Sequence, residues 1–548
     1  MTDAATTTIG DYLLERLHAY GVDHIFGIPG DFVITLFHQM YKSKIISPVT
    51  TCDEQGSGFA ADGYARLRGL GATAQTYGVG GIKGLHTTAS AFAEHVPVVV
   101  ISGAPGVRER FHGPILHHIS RDFDSQLKMY QEVTVAAIRL DDPSVAFSEI
   151  DRVLSAALQH KRPVYIEIPR DMFLVPGAAG HIPSVYHRAA SNRESLQAFA
   201  SAALDRIKNA KQPVILAGVE IQRYGLRDKL RQLLDQTQIP FASTVLGKGI
   251  ITEQHPRFVG VYQGTIGPES TCKYVEESDC LITLGMVITD INLGLFSARL
   301  DLDRDIFVNA EKAVVNYTNH EAIILEDVID TLLGMELKPS TASDLPQPIV
   351  ATEFKPVQGQ KLSTTRLFEA INGWLTAENP ICCDNGEPLI AGADVLIRGN
   401  EGYYAPGYYT SLGFSTPMGL GIKLANPALR PVVICGDAAF QMDGVEVSTM
   451  ARYGLNPIVI VMDNGGYGSE RPVFDEPYVD TQRWNFARIT EVVGAGKSFT
   501  AATEDELASA LAGARAHTDS FVVIDVKLDK FDYSPAFKRF LARFASGV

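Results

Sequence analysis

The chain has 548 residues, of which 46% are hydrophobic and 20% are charged, and its formal net charge at pH 7 is −15. A chain of this length exceeds what one hydrophobic core organises, so we expect about three domains. The acidic balance disfavours nucleic acid and anionic membranes as partners, because both would repel the protein at long range.

The start of the chain has no basic region followed by an apolar one, so it does not predict a secretory signal. No apolar run reaches the ~18 residues that span a bilayer, and we expect no membrane segment. The six cysteines lack the paired spacing of a zinc site. These features predict reduced, mostly buried thiols in a cytoplasmic protein.

Short β-branched runs alternate with longer segments of helical periodicity, which is typical of an α/β fold with parallel sheets covered by helices on both faces. In the first third, five runs predict one doubly wound domain over residues 1–180. These predicted strands are HIFGIPG, PVTTC, ATAQTYG, VPVVVISGAP and RPVYIEIPRD.

Two more α/β domains are predicted further along the chain. The central domain, over residues 195–337, contains the strand-like runs PVILAG, PFASTV, DCLITLG and DIFVNA. Residues 337–363 are rich in Pro, Ser, Thr and Gln without periodicity, which indicates a linker. The last domain, over residues 362–548, contains ICCDNG, RPVVICGD, NPIVIVMDN and SFVVIDV.

Ligands of parallel sheets bind beyond the carboxyl ends of the strands. The strand RPVVIC ends in a turn of small residues that would let backbone N–H groups approach a phosphate, namely Gly436, Asp437, Ala438 and Ala439. The next strand ends at Asn464, so a carboxylate and an amide oxygen should lie side by side and suit Mg²⁺ on a diphosphate. Either turn alone is more often an ordinary strand end.

Together the two turns resemble the motif of thiamine diphosphate enzymes, usually GDG followed by NN. The resemblance implies that Asp437, Asn464 and the backbone carbonyl of Gly466 hold the magnesium ion. Here the motif reads GDA and DN, so Ala438 and Asp463 depart from the usual pattern while the implied ligands are intact.

Glu54 follows the strand PVTTC and precedes the small-residue segment GFAADGYAR. Taken alone, it would be an N-terminal charge favoured by the helix dipole. In thiamine diphosphate enzymes, a glutamate at this place hydrogen-bonds the aminopyrimidine ring. The resemblance therefore implies that Glu54 shares a proton with that ring and so activates the cofactor.

Two histidines narrow the family. His117 and His118 follow the ISGAPG turn, and we expect adjacent histidines of an extended segment to point to different sides, as two solvated loop residues would. With the cofactor motif present, the pair resembles the HH motif of pyruvate, indolepyruvate and phenylpyruvate decarboxylases, whose partner aspartate lies in a GxxGD turn like that of Asp31. Glu470, otherwise an exposed turn residue, falls where this family has a second active-site glutamate, so proton delivery by these groups is implied.

Further cofactor contacts follow from the resemblance alone. In APGYYTSLGFSTP, Leu412 would support the bent cofactor and the carbonyl of Thr410 would accept a bond from its amino group, although Leu412 could equally be ordinary core. The turn that holds Asn385 and Glu387 matches another cofactor-facing loop, and Tyr467 follows the implied metal site.

The resemblance to non-oxidative 2-oxo acid decarboxylases covers essentially the entire chain. It implies pyrimidine-binding, central and diphosphate-binding domains, and release of carbon dioxide and an aldehyde with thiamine diphosphate and magnesium. It also implies a homodimer as the minimal unit, with the cofactor held between two chains, and commonly a homotetramer.

Three residues carry a prediction about the substrate. Ser469 and Ile291 match positions where pyruvate-specific enzymes place large side chains, and Val473 is assigned to the same pocket. A small hydroxyl and an aliphatic side chain leave space, so we expect phenylpyruvate, indolepyruvate or longer aliphatic 2-oxo acids to be preferred.

Four other functions stay open at this point. Pyruvate remains a possible best substrate, and a carboligase of the acetohydroxyacid synthase type would share Glu54 and the metal motif without needing the histidine pair. The GDA and DN departures would also suit a regulatory protein on a decayed enzyme scaffold. A nicotinamide dehydrogenase is disfavoured, because no strand is followed by GxGxxG and a suitably placed acidic residue.

Overall fold

A computed structural model describes residues 7–111, 115–347, 352–400 and 402–544. These residues form three mostly parallel sheets of six, seven and six strands, flanked by helices. The predicted α/β class is confirmed. Five of the six cysteines are buried, Cys52 is exposed, and none forms a disulfide. Within the described residues, no helix is both long and apolar enough to cross a membrane.

The strands and helices are numbered along the chain. The strands are β1 (His24–Gly27), β2 (Ser47–Thr50), β3 (Gly71–Gln75), β4 (Val98–Ala104), β5 (Ala137–Arg139), β6 (Val164–Pro169), β7 (Pro213–Ala217), β8 (Phe241–Thr244), β9 (Phe258–Tyr262), β10 (Cys280–Leu284), β11 (Ile306–Val308), β12 (Ala313–Val315), β13 (Thr318–Asn319), β14 (Ile381–Cys383), β15 (Tyr403–Tyr404), β16 (Val432–Gly436), β17 (Ile458–Asp463), β18 (Lys497–Ala501) and β19 (Val522–Lys527).

The α-helices are α1 (Ile9–Ala19), α2 (Ile34–Ser43), α3 (Glu54–Arg68), α4 (Val79–Ala93), α5 (Ser125–Gln131), α6 (Ala146–His160), α7 (Arg193–Lys208), α8 (Glu220–Arg223), α9 (Arg227–Thr237), α10 (Glu269–Glu276), α11 (Leu325–Leu333), α12 (Thr364–Trp374), α13 (Glu387–Gly392), α14 (Ser415–Ala425), α15 (Asp437–Asp443), α16 (Val447–Arg452), α17 (Ile489–Val493), α18 (Glu504–Ala516) and α19 (Pro535–Phe544). Short 3-10 helices span Glu109–Phe111, Gly444–Glu446, Pro477–Val479 and Phe486–Arg488.

The first compact unit comprises Met1–Arg188, Phe414–Pro427 and Met442–Leu455. Its sheet has the strand order β2-β1-β3-β4-β6-β5, and every neighbouring pair is parallel. Strands β3, β4 and β6 are buried along their whole length, because helices cover both faces of a parallel sheet.

Helix α3 begins and ends on clear local signals. The side chain of Asp53 accepts a hydrogen bond from the backbone N–H of Gly56 at the start of the helix, and Gly69 ends it in a left-handed conformation. Its small residues let the backbone of α14 approach closely, since a Cβ at Gly421 would lie 2.0 Å from the carbonyl oxygen of Ala60. This close packing explains the composition of GFAADGYAR.

The second compact unit comprises Ala189–Gly413, Ala428–Gln441 and Asn456–Val548, and it contains two sheets. The seven-stranded sheet has the order β13-β12-β11-β10-β7-β8-β9, and the six-stranded sheet has the order β15-β14-β16-β17-β19-β18. The latter is entirely parallel. The former is mixed, because β11, β12 and β13 form consecutive antiparallel hairpins, so the predicted parallel sheet of the central domain is wrong at this edge.

Each sheet lies within one of the ranges predicted for the three domains, 1–180, 195–337 and 362–548. The compact units divide the chain differently, because α14 and α16 belong to the first unit, and the predicted domain boundaries stay a prediction. The predicted linker, 337–363, contains no helix or strand in its described part, and its residues 348–351 lie outside the described residues.

Candidate active site

A cluster of one carboxylate and two imidazoles lies beyond the carboxyl ends of the strands of the first sheet. His117 Nε2 is 2.7 Å from Asp31 Oδ2, and the rings of His117 and His118 have centroids 4.7 Å apart. One ligand atom from each of the three side chains lies within 4.8 Å of the others. The three groups therefore share one site, where a proton can pass between them.

The backbone at His118 corrects the expectation that the two histidines point to different sides. His118 has a φ of 68°, so the segment is not extended and both rings lie in the Asp31 cluster. Gly78, at the start of α4, has a φ of 70°, and a Cβ there would lie 2.1 Å from the carbonyl oxygen of His118. Glycine at position 78 thus gives the histidine loop the space it occupies.

The environment of Asp31 favours its ionised form. Partial burial alone would raise the pKa of Asp31, but the hydrogen bond and electrostatic interaction with His117 hold this pKa below its usual value. Arg170 is a cation near the same carboxylate, with its Nη1 4.0 Å from Asp31 Oδ2 and its guanidinium over the ring of Phe32. An ionised Asp31 fixes the orientation of the His117 ring.

Glu54 stands at the first position of α3, beside the capping residue Asp53. Its side chain is only 13% exposed, and the ammonium of Lys83 is 3.8 Å from Glu54 Oε2 and 2.8 Å from Asp53 Oδ2. A Cβ at Gly80 would lie 2.9 Å from Glu54 Oε1, so the start of α4 leaves room for this carboxylate. Asp53 caps the helix, and Glu54 remains available for a ligand.

A second buried acid supports the same end of α3. Glu446 is fully buried and accepts hydrogen bonds from the backbone N–H of Cys52 and from the hydroxyl of Thr449, at 3.0 and 2.6 Å. Burial raises the pKa of Glu446 to about 7. A Cβ at Gly56 would overlap this carboxylate, so the two segments fit only because position 56 is glycine.

In the second unit, the implied metal ligands lie at the ends of neighbouring parallel strands. Strands β16 and β17 pair with Gly436 opposite Met462, so Asp437 and Asn464 follow adjacent strand ends. Asp437 Oδ2 accepts a hydrogen bond from the backbone N–H of Gly465 at 2.8 Å. The two strand ends are therefore neighbours, as predicted, and metal binding by Asp437 and Asn464 stays a prediction. Burial raises the pKa of Asp437 to about 6, and the negative charge of Asp463 adds to this rise.

The turn after Asn464 is held in a defined shape. Asn464 Oδ1 accepts a weak hydrogen bond from the N–H of Gly466, whose φ is 150°, and the N–H of Tyr467 donates to the carbonyl of Val479. The buried guanidinium of Arg471 donates to the carbonyl of Gly465 at 2.8 Å. These bonds fix the backbone that presents the carbonyl of Gly466.

The donor set fits magnesium and a diphosphate. A carboxylate from Asp437, an amide oxygen from Asn464 and the carbonyl of Gly466 are hard oxygen ligands of the kind that Mg²⁺ binds. A Cβ at Gly436 would meet no heavy atom within 4 Å, so the first residue of the turn has open space beside it that a phosphate could use.

Ser469 and Glu470 follow the turn that contains the implied metal ligands Asn464 and Gly466. Glu470 is exposed, and Ser469 Oγ donates to Glu470 Oε1 over 3.4 Å, which is a long contact. A Cβ at Gly386 would lie 4.0 Å from Ser469 Oγ, so the turn that carries Asn385 lies near this serine. The structure therefore brings the predicted cofactor loop and the predicted pocket residue together.

Asp384 joins two of the predicted cofactor segments. Its buried carboxylate accepts hydrogen bonds from the N–H groups of Asn385 and Gly413, at 3.0 and 3.2 Å. Thr410 has a φ of 57°, and its N–H donates to the carbonyl of Pro406, while Leu412 is half-buried. Asp384, the first residue of the turn that the sequence matched to a cofactor-facing loop, therefore holds both segments in place.

Three predicted residues have other surroundings. Glu387 accepts a hydrogen bond from the backbone N–H of Ser534, and burial raises its pKa to about 7. Ile291 packs against the hydrophobic core of the seven-stranded sheet, and Val473 is exposed. Contacts of these three with cofactor or substrate stay predictions.

Known proteins match this chain along nearly its whole length. The chain matches three domains of thiamine pyrophosphate enzymes. These are the N-terminal thiamine-pyrophosphate-binding domain at residues 7–128, the central domain at residues 200–334 and the C-terminal thiamine-pyrophosphate-binding domain at residues 384–526. An indole-3-pyruvate decarboxylase of Azospirillum brasilense is 34% identical over 98% of both chains. An alpha-keto-acid decarboxylase of Mycobacterium leprae is 32% identical, over 96% of this chain and 94% of the relative. Pyruvate decarboxylase 4 of Arabidopsis thaliana is 30% identical, over 97% and 91%.

The chain belongs to the thiamine-pyrophosphate-dependent 2-oxo acid decarboxylases. Thiamine pyrophosphate is another name for thiamine diphosphate, so the predicted family, the organic cofactor and the carboxy-lyase class are confirmed for this decarboxylase, whereas magnesium stays a prediction. In each unit of this decarboxylase, the predicted site residues also contact residues that the sequence did not indicate. The hydroxyl of Thr481 contacts the Asp437 carboxylate, and Arg471 donates to the carbonyl of Gly465 in the turn after Asn464. Arg170 lies beside Asp31. Of these three residues, only Arg471 could have been found from the sequence, because it directly follows the predicted site residue Glu470.

Proposed function

We propose that this decarboxylase converts a 2-oxo acid to an aldehyde and carbon dioxide with thiamine diphosphate and Mg²⁺, and that it prefers aromatic or longer-chain substrates such as phenylpyruvate or indolepyruvate. The observation that carries the proposal is the cluster of Asp31, His117 and His118. A decarboxylase must protonate the carbon that loses carbon dioxide, and this cluster supplies proton carriers. A carboligase of the acetohydroxyacid synthase type shares the cofactor but does not need the histidine pair.

The position of the diphosphate and its magnesium ion is inferred from the oxygen ligands. Asp437, Asn464 and the carbonyl of Gly466 hold Mg²⁺, and the turn Gly436–Ala439 receives the diphosphate. When bound, thiamine diphosphate supplies the electron sink that accepts the electron pair released with carbon dioxide. The remaining cofactor contacts come from side chains and backbone groups at Asn385, Glu387, Thr410, Leu412 and Tyr467.

The protein's own contribution is positioning and proton transfer. Glu54 exchanges a proton with the aminopyrimidine ring, and the cap formed by Asp53 keeps it at the start of α3. Ionised Asp31 accepts the hydrogen bond of His117 and so orients the imidazole. His118 and Glu470 are the other proton carriers: in each turnover, one proton is delivered to the carbon that lost carbon dioxide, and one proton is removed from the hydroxyl group as the aldehyde is released.

We also propose a cytoplasmic homodimer as the minimal active unit, with a homotetramer as the full assembly. Both assignments follow from the resemblance to the family. In the dimer, one chain contributes Glu54 and the Asp31 cluster, and the other contributes Asp437, Asn464 and Glu470. Six thiols without disulfides support a reducing compartment, and we expect neither nucleic acid nor membrane as a partner.

The substrate preference rests on the small side chain of Ser469 beside the turn after Asn464, with Ile291 and Val473 as further pocket residues. An indole-3-pyruvate decarboxylase among the relatives supports it, whereas a pyruvate decarboxylase among them keeps pyruvate as the second candidate. Each methylene or ring edge that fits a pocket contributes ~1–3 kcal/mol of discrimination.

A substrate panel tests the preference. Carbon dioxide release from phenylpyruvate, indolepyruvate, longer aliphatic 2-oxo acids and pyruvate should give the lowest kcat/KM for pyruvate. Ser469→Ile should lower kcat/KM far more for the aromatic acids than for pyruvate, while the small control Ser469→Ala should keep the parent's order. Pyruvate as the best substrate, or equal losses on both classes in Ser469→Ile, would contradict the assignment.

A further inference from the structure

Asp463 is a buried carboxylate next to a metal ligand, where the family motif has asparagine. It ends β17, directly before Asn464, and its side chain is only 2% exposed. A buried carboxylate is stable only when a cation or several hydrogen bonds compensate its charge. An uncompensated charge here would also repel the diphosphate that the same strand end must receive.

Strand register brings a compensating cation to this carboxylate. Strands β17 and β19 are parallel, with Asp463 directly opposite Lys527, so both side chains lie on the same face of the sheet. Asp525, two residues before Lys527, lies on that face as well. The N–H of Leu528 donates to the backbone carbonyl of Asp463 at 2.9 Å, which ties the ends of the two strands together.

Lys527 contacts both buried acids at once. Its Nζ is 2.5 Å from Asp463 Oδ2 and 2.8 Å from Asp525 Oδ2. The Asp525 side chain is fully buried, whereas Lys527 is 34% exposed. Lys527 forms an ion pair with both carboxylates, and the backbone of Ala487 also interacts with the Asp525 carboxylate, whereas Asp463 Oδ1 has no hydrogen-bond partner among the described residues.

We propose that Lys527 is a positioning residue for cofactor binding, which neutralises Asp463 and thereby makes the DN form of the motif compatible with a bound diphosphate. Without the ammonium, the Asp463 carboxylate either faces the diphosphate uncompensated or moves away and carries the Asn464 turn with it. Both outcomes weaken binding of thiamine diphosphate. The proposal rests on the assignment of the metal and diphosphate site given above.

Two buried acids share the ammonium, so a structural role must be distinguished from a role in binding. If Lys527 only stabilises the strand pair, removing either aspartate partner should compensate equally for its loss. If Lys527 acts through Asp463 on the cofactor, only removal of the Asp463 charge should restore binding. A double-mutant comparison separates the two.

The experiment measures thiamine diphosphate binding to the full-length protein by calorimetry at saturating Mg²⁺, together with thermal unfolding of the cofactor-free protein. Lys527→Met should weaken binding about tenfold or more, the size expected for one unpaired charge in a partly buried site. Asp463→Asn alone should bind within about threefold of the parent, because an amide restores the usual motif. The affinity of Asp463→Asn/Lys527→Met for thiamine diphosphate should equal that of Asp463→Asn. The matched control is Asp525→Asn/Lys527→Met, whose affinity should stay as low as that of Lys527→Met.

Each result decides the proposal. Parent-like binding by Lys527→Met, no recovery in Asp463→Asn/Lys527→Met, or equal recovery in both double variants would overturn it. If Lys527→Met does not fold, the two double variants decide: cofactor binding restored in Asp463→Asn/Lys527→Met and not in Asp525→Asn/Lys527→Met supports the proposal, whereas equal binding by both, or no binding by Asp463→Asn/Lys527→Met, overturns it. A parent protein that does not bind thiamine diphosphate with Mg²⁺ would instead contradict the cofactor site itself.

Discussion

Two adjacent carboxylates at the start of α3 have separate tasks. Asp53 caps the helix and pairs with Lys83, whereas Glu54 has no role in the cap and is the residue that we propose for proton exchange with the cofactor. Glu54→Gln keeps the shape but removes the ionisable group, so kcat at saturating thiamine diphosphate should fall by about 100-fold or more. Steady-state kinetics measures this kcat, and thermal melting curves show whether the variant is folded.

Glu15→Gln is the matched control, because Glu15 is an exposed glutamate on α1. It should keep the activity of the parent, and neither variant should lose secondary structure. Near-normal turnover by Glu54→Gln would remove Glu54 from the mechanism.

At the residue scale, the sequence predicts groups whose spacing along the chain reflects one strand end or one βαβ unit. Asp437 and Asn464 could be placed side by side because they follow consecutive strands. Lys527 could not be paired with Asp463, since their contact depends on the register of β19 beside β17. The conformation of His118 was also unpredictable, because a left-handed residue in a loop leaves no pattern in the sequence.

At the scale of elements, all predicted strands except β2 are interior, and most missed strands lie at sheet edges. All thirteen predicted runs contain a strand, whereas β5, β9, β12, β13, β15 and β18 were missed. All of these except β12 are edge strands, and several are short or partly polar. Strands β5, β13 and β18 are less buried than interior strands, so they need no long apolar run and only tertiary pairing defines them, whereas β9 and β15 are buried and low burial does not explain why they were missed.

The packing of Glu446 against the start of α3 predicts a pH-dependent stability. Burial raises the pKa of Glu446 from 4.5 to about 7, so the folded state binds a proton more tightly than the unfolded state. The stability that this proton contributes is complete below pH 4.5 and is lost as the pH rises through about 7. Glu446→Gln lacks this loss, so its Tm relative to the parent should be higher at pH 8 than at pH 5, by a few degrees.

Calorimetric unfolding of the cofactor-free proteins at both pH values measures this difference. Glu15→Gln serves again as the control, with the same Tm difference from the parent at both pH values. A Tm difference for Glu446→Gln that does not change with pH would show that Glu446 does not take up a proton on folding.

At the scale of the whole molecule, the proposal that two chains share each cofactor predicts complementation. Glu54→Gln and Asp437→Ala should each be inactive alone, the latter through loss of cofactor. In a mixed dimer with shared sites, one site carries both substitutions and the other carries neither. Co-expression in equal amounts should therefore restore about a quarter of the parent's activity.

Separately tagged chains and two-step purification isolate the mixed dimer, whose activity should approach half that of the parent dimer. Parent chains with the same two tags provide the control. A mixed dimer as inactive as its components would show that each site is completed within one chain.

The most direct test of the account is the stoichiometry of the reaction in cofactor-free protein after addition of thiamine diphosphate, Mg²⁺ and phenylpyruvate, with no redox cofactor present. Carbon dioxide and phenylacetaldehyde should appear in equal amounts, and only when both thiamine diphosphate and Mg²⁺ have been added. Carbon dioxide without the aldehyde, a coupled hydroxyketone in its place, or activity that does not require both additions would contradict non-oxidative decarboxylation at the site built around Glu54, Asp31 and Asp437.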